Sequence, residues 1–152
     1  MKKLRIYLDT SVIGGCFDDE FQEASLKLIE EIKSGINIGV VSSITLSELE
    51  KAPANIRRFF SQIEHLVEKL VLDNEATLLA ENYIKEKILD KKSTDDCLHI
   101  AIAAVNKVDV LVSWNFKHIV NFNKIIQFNS VNLKNGYGTL QIYSPKEVIN
   151  NE

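Results

Sequence analysis

Leu4-Arg5-Ile6-Tyr7-Leu8-Asp9-Thr10-Ser11-Val12-Ile13 decides how this chain is read. A short apolar run ends in an acid, and a turn-and-helix signal follows at once. The run predicts a first strand over 4–8. Asp9 then stands where a strand ends and a helix begins, on the rim where open α/β sheets place their ligands. A charge taken out of water is costly unless it is paired or binds a metal. Asp9 therefore needs partners elsewhere in the chain.

Two further acids have comparable settings. Glu48 lies in Ser43-Ile44-Thr45-Leu46-Ser47-Glu48-Leu49, on the helix expected after a second strand over 36–41. Asp96 opens the apolar helix expected over 95–105, which leads to a strand over 108–112. In a parallel sheet with right-handed crossovers such positions gather on the carboxyl edge. Three ionised acids gathered there repel one another unless cations neutralise them. Hard oxygen ligands without a Cys or His cluster favour Mg²⁺ or Mn²⁺ over Zn²⁺.

Each acid also has a plainer explanation. Asp9 suits the N-cap of the following helix. Glu48 suits a solvated helix face, with Glu50 beside it. Ser93-Thr94-Asp95-Asp96 before an apolar run reads as a capping box. Asn115, in Val112-Ser113-Trp114-Asn115-Phe116-Lys117-His118, either serves a metal-bound water or caps a turn. Thr10 and Ser113 are candidates to orient the carboxylates. His65, His99 and His118 have no two-ligand spacing; His99 reads as a satisfied core residue, and His118 either faces phosphate or is simply exposed.

The remaining segments alternate between strand and helix, the pattern of a parallel α/β sheet. Helical spacing is expected over 21–33, 46–51, 56–67 and 76–89, with Pro53 separating the second and third. A short strand over 70–72, an irregular or helical stretch over 122–132, and an edge strand over 139–143 complete the outline. Pro145 then starts a short helix over 145–149.

Composition narrows the class. With 152 residues and 45% hydrophobic content, the chain is expected to form one domain, residues 1–152, with a core that needs no staples. A net charge of −3 argues against coating nucleic acid by bulk electrostatics, though not against gripping a short piece of RNA. The basic residues Arg57, Arg58, Lys91, Lys92, Lys117, Lys124 and Lys134 are scattered; they are candidates to touch RNA phosphates, but solvated faces account for most of them. Cys16 and Cys97 lack C-x-x-C spacing and fit a reducing, cytoplasmic setting. No apolar run is long enough to cross a bilayer. Gly14-Gly15 and Gly136-Tyr137-Gly138 lack the Lys-Ser/Thr of a phosphate loop.

The segments around Asp9, Glu48, Asp96 and Asn115, with Ile142-Tyr143-Ser144-Pro145-Lys146-Glu147-Val148, together resemble the PIN-domain family, and within it the VapC-like ribonucleases of toxin–antitoxin pairs. The resemblance covers essentially the whole chain. It implies a three-layer α/β/α sandwich on a mostly parallel sheet of four or five strands. It also implies a Mg²⁺- or Mn²⁺-dependent endoribonuclease, commonly a homodimer, with RNA as substrate and an antitoxin protein as partner. The family's three acids map onto Asp9, Glu48 and Asp96, expected as catalytic residues and metal ligands. Its fourth position often carries Asp and here carries Asn115. The competing expectation is a PIN-like module that binds RNA or protein without cutting. A phosphatase of the aspartyl-nucleophile type would want Asp at position 11, where Ser11 stands. A receiver domain would want its phosphoacceptor near Asp73.

Overall fold

A computed structural model of the protein describes residues 2–150. β1 (Arg5–Leu8), β2 (Ile38–Ser42), β3 (Glu68–Leu70), β4 (Val110–Val112) and β5 (Gln141–Tyr143) form one sheet in the order β3-β2-β1-β4-β5. Every neighbouring pair is parallel. Eight helices are found among the described residues: α1 (Thr10–Gly15), α2 (Gln22–Lys33), α3 (Ser43–Glu50), α4 (Ala54–Ile63), α5 (Asn74–Lys85), α6 (Thr94–Val105), α7 (Phe122–Lys134) and α8 (Pro145–Val148).

The strand register sorts side chains by face. Tyr7, Val40, Leu111 and Ile142 face α5, α6 and α7 in one core. Ile6, Leu8, Val41, Val110 and Val112 face α1, α2 and α4 in the other. A sheet covered on both faces has no solvated side, so its central strands read as unbroken apolar runs. The α/β/α sandwich expected from sequence is the architecture found.

Several boundaries shift for identifiable reasons. The third strand is Glu68–Leu70, two residues before the expected 70–72. Glu68 there makes a two-point contact with the Arg5 guanidinium, 3.0 Å to Nε and 2.6 Å to Nη2, while Val71 is left exposed. The helix expected over 76–89 stops at Lys85, because Lys87 takes a left-handed φ of 62°. Ile88 and Leu89 nonetheless reach the core from the loop. The uncertain stretch 122–132 is α7, capped by the Asn121 side chain on Lys124 N–H.

Gly15 closes the seam between α1, α2 and the loop after β4. A Cβ placed there would lie 2.7 Å from Ser25 Oγ and 2.8 Å from Trp114 Nε1. Neither neighbour yields easily, since Ser25 is buried, Trp114 Nε1 donates to it at 2.8 Å, and Phe21 stacks on the indole. Gly15→Ala is therefore expected to cost about 1–3 kcal/mol through overpacking. At roughly 2–4 °C per kcal/mol for a chain of this size, the thermal midpoint falls by several degrees. A circular-dichroism melt that leaves the midpoint unmoved would refute this.

Candidate active site

Asp9 leaves β1 at the carboxyl edge and is 4% exposed. It is the N-cap of α1, with Oδ1 accepting from Val12 N–H at 3.3 Å. The plainer reading of Asp9 is thus correct as far as it goes, but two more donors converge on the same carboxylate. Ser11 Oγ donates to Oδ1 at 2.6 Å and Ser113 Oγ to Oδ2 at 2.5 Å. Burial pushes the Asp9 carboxyl above its ordinary value; the charge of His99 and the three donors pull against that without cancelling it.

Glu48 sits on α3, whose start is set by a capping box between Ser42 and Thr45. Its Oε1 accepts from Thr10 Oγ1 and from His99 Nε2, both at 2.6 Å. His99 in turn bonds the Tyr7 hydroxyl through Nδ1 at 2.6 Å, and Tyr7 meets Ser42 Oγ at 2.7 Å. His99 and Tyr7 are buried in the core, so this chain of groups is fixed. Partial burial pushes the Glu48 carboxyl up, but the His99 and Thr10 hydrogen bonds and the His99 charge outweigh it and hold the group below its ordinary value. Glu48 is an anchored acid rather than a freely solvated one.

Asp96 lies in the first turn of α6. Ser93 makes no side-chain cap to that helix, and Thr94 Oγ1 donates to the Lys91 carbonyl instead. The expected capping box is absent because a 3₁₀ turn, Lys91–Ser93, leads directly into the helix. Asp96 is thereby free to face the loop after β4. Its Oδ2 accepts from His118 Nδ1 at 3.0 Å and from Asn115 Nδ2 at 3.4 Å. Asn115 Oδ1 accepts from His118 N–H at 2.9 Å, which closes the turn.

Hydrogen bonds link the three acids at one edge of the sheet. Glu48 connects to Thr10, the residue next to Asp9, and Asp9 connects through Ser113 Oγ to Asn115 N–H at 2.9 Å and so to Asp96. Glu48 Oε2 and Asp96 Oδ1 receive no donor and are not sealed from solvent. Among the described residues, however, no three His, Cys, Asp or Glu side chains stand close enough together to cage a cation.

A family model described as "PIN domain" matches residues 6–117, about three quarters of the chain. The chain belongs to the PIN-domain family. Solved structures agree with this PIN domain in fold. A VapBC2 complex from Rickettsia felis, bound to a promoter DNA fragment, is similar at a TM-score of 0.59 and 15% identity, covering 91% of this chain and 97% of that one. FitAcB from Neisseria gonorrhoeae gives 0.60 at 14%, covering 94% and 99%. VapC20 from Mycobacterium tuberculosis, described as a sarcin-ricin loop cleaving toxin, gives 0.59 at 13%, covering 74% and 92%. No curated protein matches this PIN domain in sequence. Membership places it in a nuclease family, with toxins among its structural neighbours.

The donors of this PIN domain suit a hard divalent cation. They are carboxylate oxygens with hydroxyls behind them, and one oxygen each of Glu48 and Asp96 is unused by the protein. Mg²⁺ keeps several waters and takes only one or two carboxylates plus substrate phosphates, so an open arrangement is the kind it uses. Two contacts to the acids escaped the sequence reading. His99 is a core residue as expected, yet it also grips Glu48. His118 is half-buried against Asp96. Their spacing from the acids was a possible signal: His99 is one helical turn after Asp96 and His118 three residues after Asn115.

Proposed function

We propose that this PIN domain is a Mg²⁺- or Mn²⁺-dependent endoribonuclease that hydrolyses RNA phosphodiester bonds, and that it is the toxin of a type II toxin–antitoxin pair. The observation that carries the reading is the bonded path from Glu48 through Thr10 and Asp9 to Ser113, Asn115 and Asp96. It ties all three acids to one edge of the sheet, and it supports a shared site although Asp9 also caps α1.

Asp9, Asp96 and Glu48 would hold the cation. Bound there, Mg²⁺ or Mn²⁺ supplies a water of lowered pKa and stabilises charge on the phosphoryl oxygens. Glu48, kept ionised by His99 and Thr10, presents its unused oxygen to accept a proton from an attacking water. Ser113 and Ser11 hold Asp9 in one rotamer, and Asn115 and His118 do the same for Asp96. RNA as substrate, an antitoxin as partner, a homodimer as assembly and a cytoplasmic setting belong to the same proposal. The first two draw support from the VapBC2 and FitAcB complexes and the VapC20 toxin.

Cleavage of a structured RNA should require Mg²⁺ or Mn²⁺ and stop with EDTA. Cleavage that persists in EDTA defeats the metal-dependent reading. A second reading, a PIN domain that binds without cutting, has one observation in its favour: Asn115 stands where the family often has an acid. Calorimetry with Mn²⁺ separates the two, since uptake that depends on Asp9 and Asp96 belongs only to the nuclease.

A further inference from the structure

A large cavity beside the acids carries a cluster of cations on a partly apolar wall that includes Ile84, Ile88 and Leu89. A hollow of about 610 Å³ opens between the loop that follows α5 and the segment leading into α7, and Lys87, Lys91, Lys117, Lys124 and His118 line it. Asp90 is the single acid in its wall, and one of its oxygens is already occupied by Lys92 N–H. The chain as a whole carries −3, so this grouping is a local reversal of sign.

Those charges are not spent on the protein. Among the described residues none of the four lysines has a carboxylate partner, although Lys33, Lys69 and Lys134 elsewhere do. Lys124 is half-buried and held by a neutral group, donating to the Ile88 carbonyl at 2.6 Å. A cation fixed by a carbonyl keeps its full charge. His118 is the wall shared with the acidic centre, because its Nδ1 bonds Asp96 at 3.0 Å.

The geometry points to this cavity as a subsite for a backbone phosphate of single-stranded RNA, on the nucleotide next to the bond cut at Asp9, Glu48 and Asp96. The assignment rests on the nuclease reading for its orientation. Lysines act on phosphate as point charges and need no planar match, which suits an irregular hollow with cations on several walls. Contacts to phosphate position a strand without reading its sequence. Repulsion between RNA and the acids is thus offset one nucleotide away, and the strand is drawn across the centre rather than past it. An acidic peptide offers the same charge and could rest on Ile84, Ile88 and Leu89 of the wall, but the junction with Asp96 through His118 favours the substrate.

Lys87→Gly with Lys91→Ala and Lys117→Ala tests the subsite. Glycine at position 87 suits the left-handed φ of 62°, so that change does not strain the fold. The probe is a fluorescein-labelled 12-nucleotide single-stranded RNA, and the background is Asp9→Asn so that nothing is cleaved. Anisotropy should show binding weakened roughly tenfold, and the slope of log K against log salt reduced by about 0.7 for each phosphate the cavity holds. The charge-matched control, Lys27→Ala with Lys33→Ala and Lys69→Ala, should bind as the parent does. Equal loss in both triple variants, or no loss in the first, overturns the subsite. So does a 12-residue polyglutamate peptide that loses binding in the first variant while the RNA does not. Cleavage by the unmodified protein is scored separately. Cleavage with unchanged RNA binding sinks only the subsite, and cavity-dependent binding without cleavage sinks only the nuclease reading.

Discussion

Asp9→Asn is expected to lower RNA cleavage at least about a hundredfold, which is about 2.7 kcal/mol on the barrier. The same change should raise the thermal midpoint of the metal-free protein at neutral pH. Burial raises the Asp9 pKa in the folded state, so the folded chain favours the protonated acid. The stability tied to that preference is fully present below the ordinary value of 3.8 and is lost as pH rises through the raised folded value. Above that range the buried Asp9 anion destabilises the fold, and an asparagine carries no such charge. The gain should therefore shrink towards zero as pH falls below the ordinary carboxylate range. Melts across pH with EDTA present, paired with cleavage assays, examine both halves. Full cleavage, or a midpoint that drops at neutral pH, would contradict the role given to this residue. A site that weakens the fold in return for chemistry is a familiar trade.

The other large effect lies in the core. Phe128 on α7 is fully buried and meets the Tyr83 ring edge-on at 4.9 Å. Tyr83 is in turn tied to Asn132, one turn further along α7, through its hydroxyl. Phe128→Ala is expected to cost about 3–5 kcal/mol, the sum of lost burial and a cavity that cannot collapse. At roughly 2–4 °C per kcal/mol the midpoint falls by about 6–20 °C. Urea unfolding with an unchanged m-value and a lower midpoint would locate the loss in the native state. A shift below 1 kcal/mol would mean that α7 is not anchored as described.

That helix also shows where sequence reasoning thins. Asn123, Asn129 and Asn132 depress helix propensity, so 122–132 read as irregular or helical. Phe128 and Val131 then settle the matter by burial, a tertiary effect. The central strands were legible because a doubly covered sheet leaves an unbroken apolar run at residues 6–8 and again at 110–112. Asp9 was legible for the complementary reason, an acid immediately after such a run. At Asp96 the local motif misled: Ser93-Thr94-Asp95-Asp96 has capping chemistry, but the chain enters α6 through a 3₁₀ turn and uses none of it. The basic cavity was legible only in pieces: Lys91, Lys117 and Lys124 were candidates to touch RNA phosphates, but nothing in the sequence grouped them. Lys87 and Lys91 are separated from Lys117 and Lys124 by a whole helix and strand, and only the crossover from α6 through β4 returns them to one place.

The outermost strands, Glu68–Leu70 and Gln141–Tyr143, are three residues each. So brief a margin, with Glu68 already engaged by Arg5 and Lys69 beside it, offers a poor template for stitching one molecule's sheet onto another's. Two copies that come together are steered away from pairing their sheets, and crowded solutions of this protein should resist fibrillar growth.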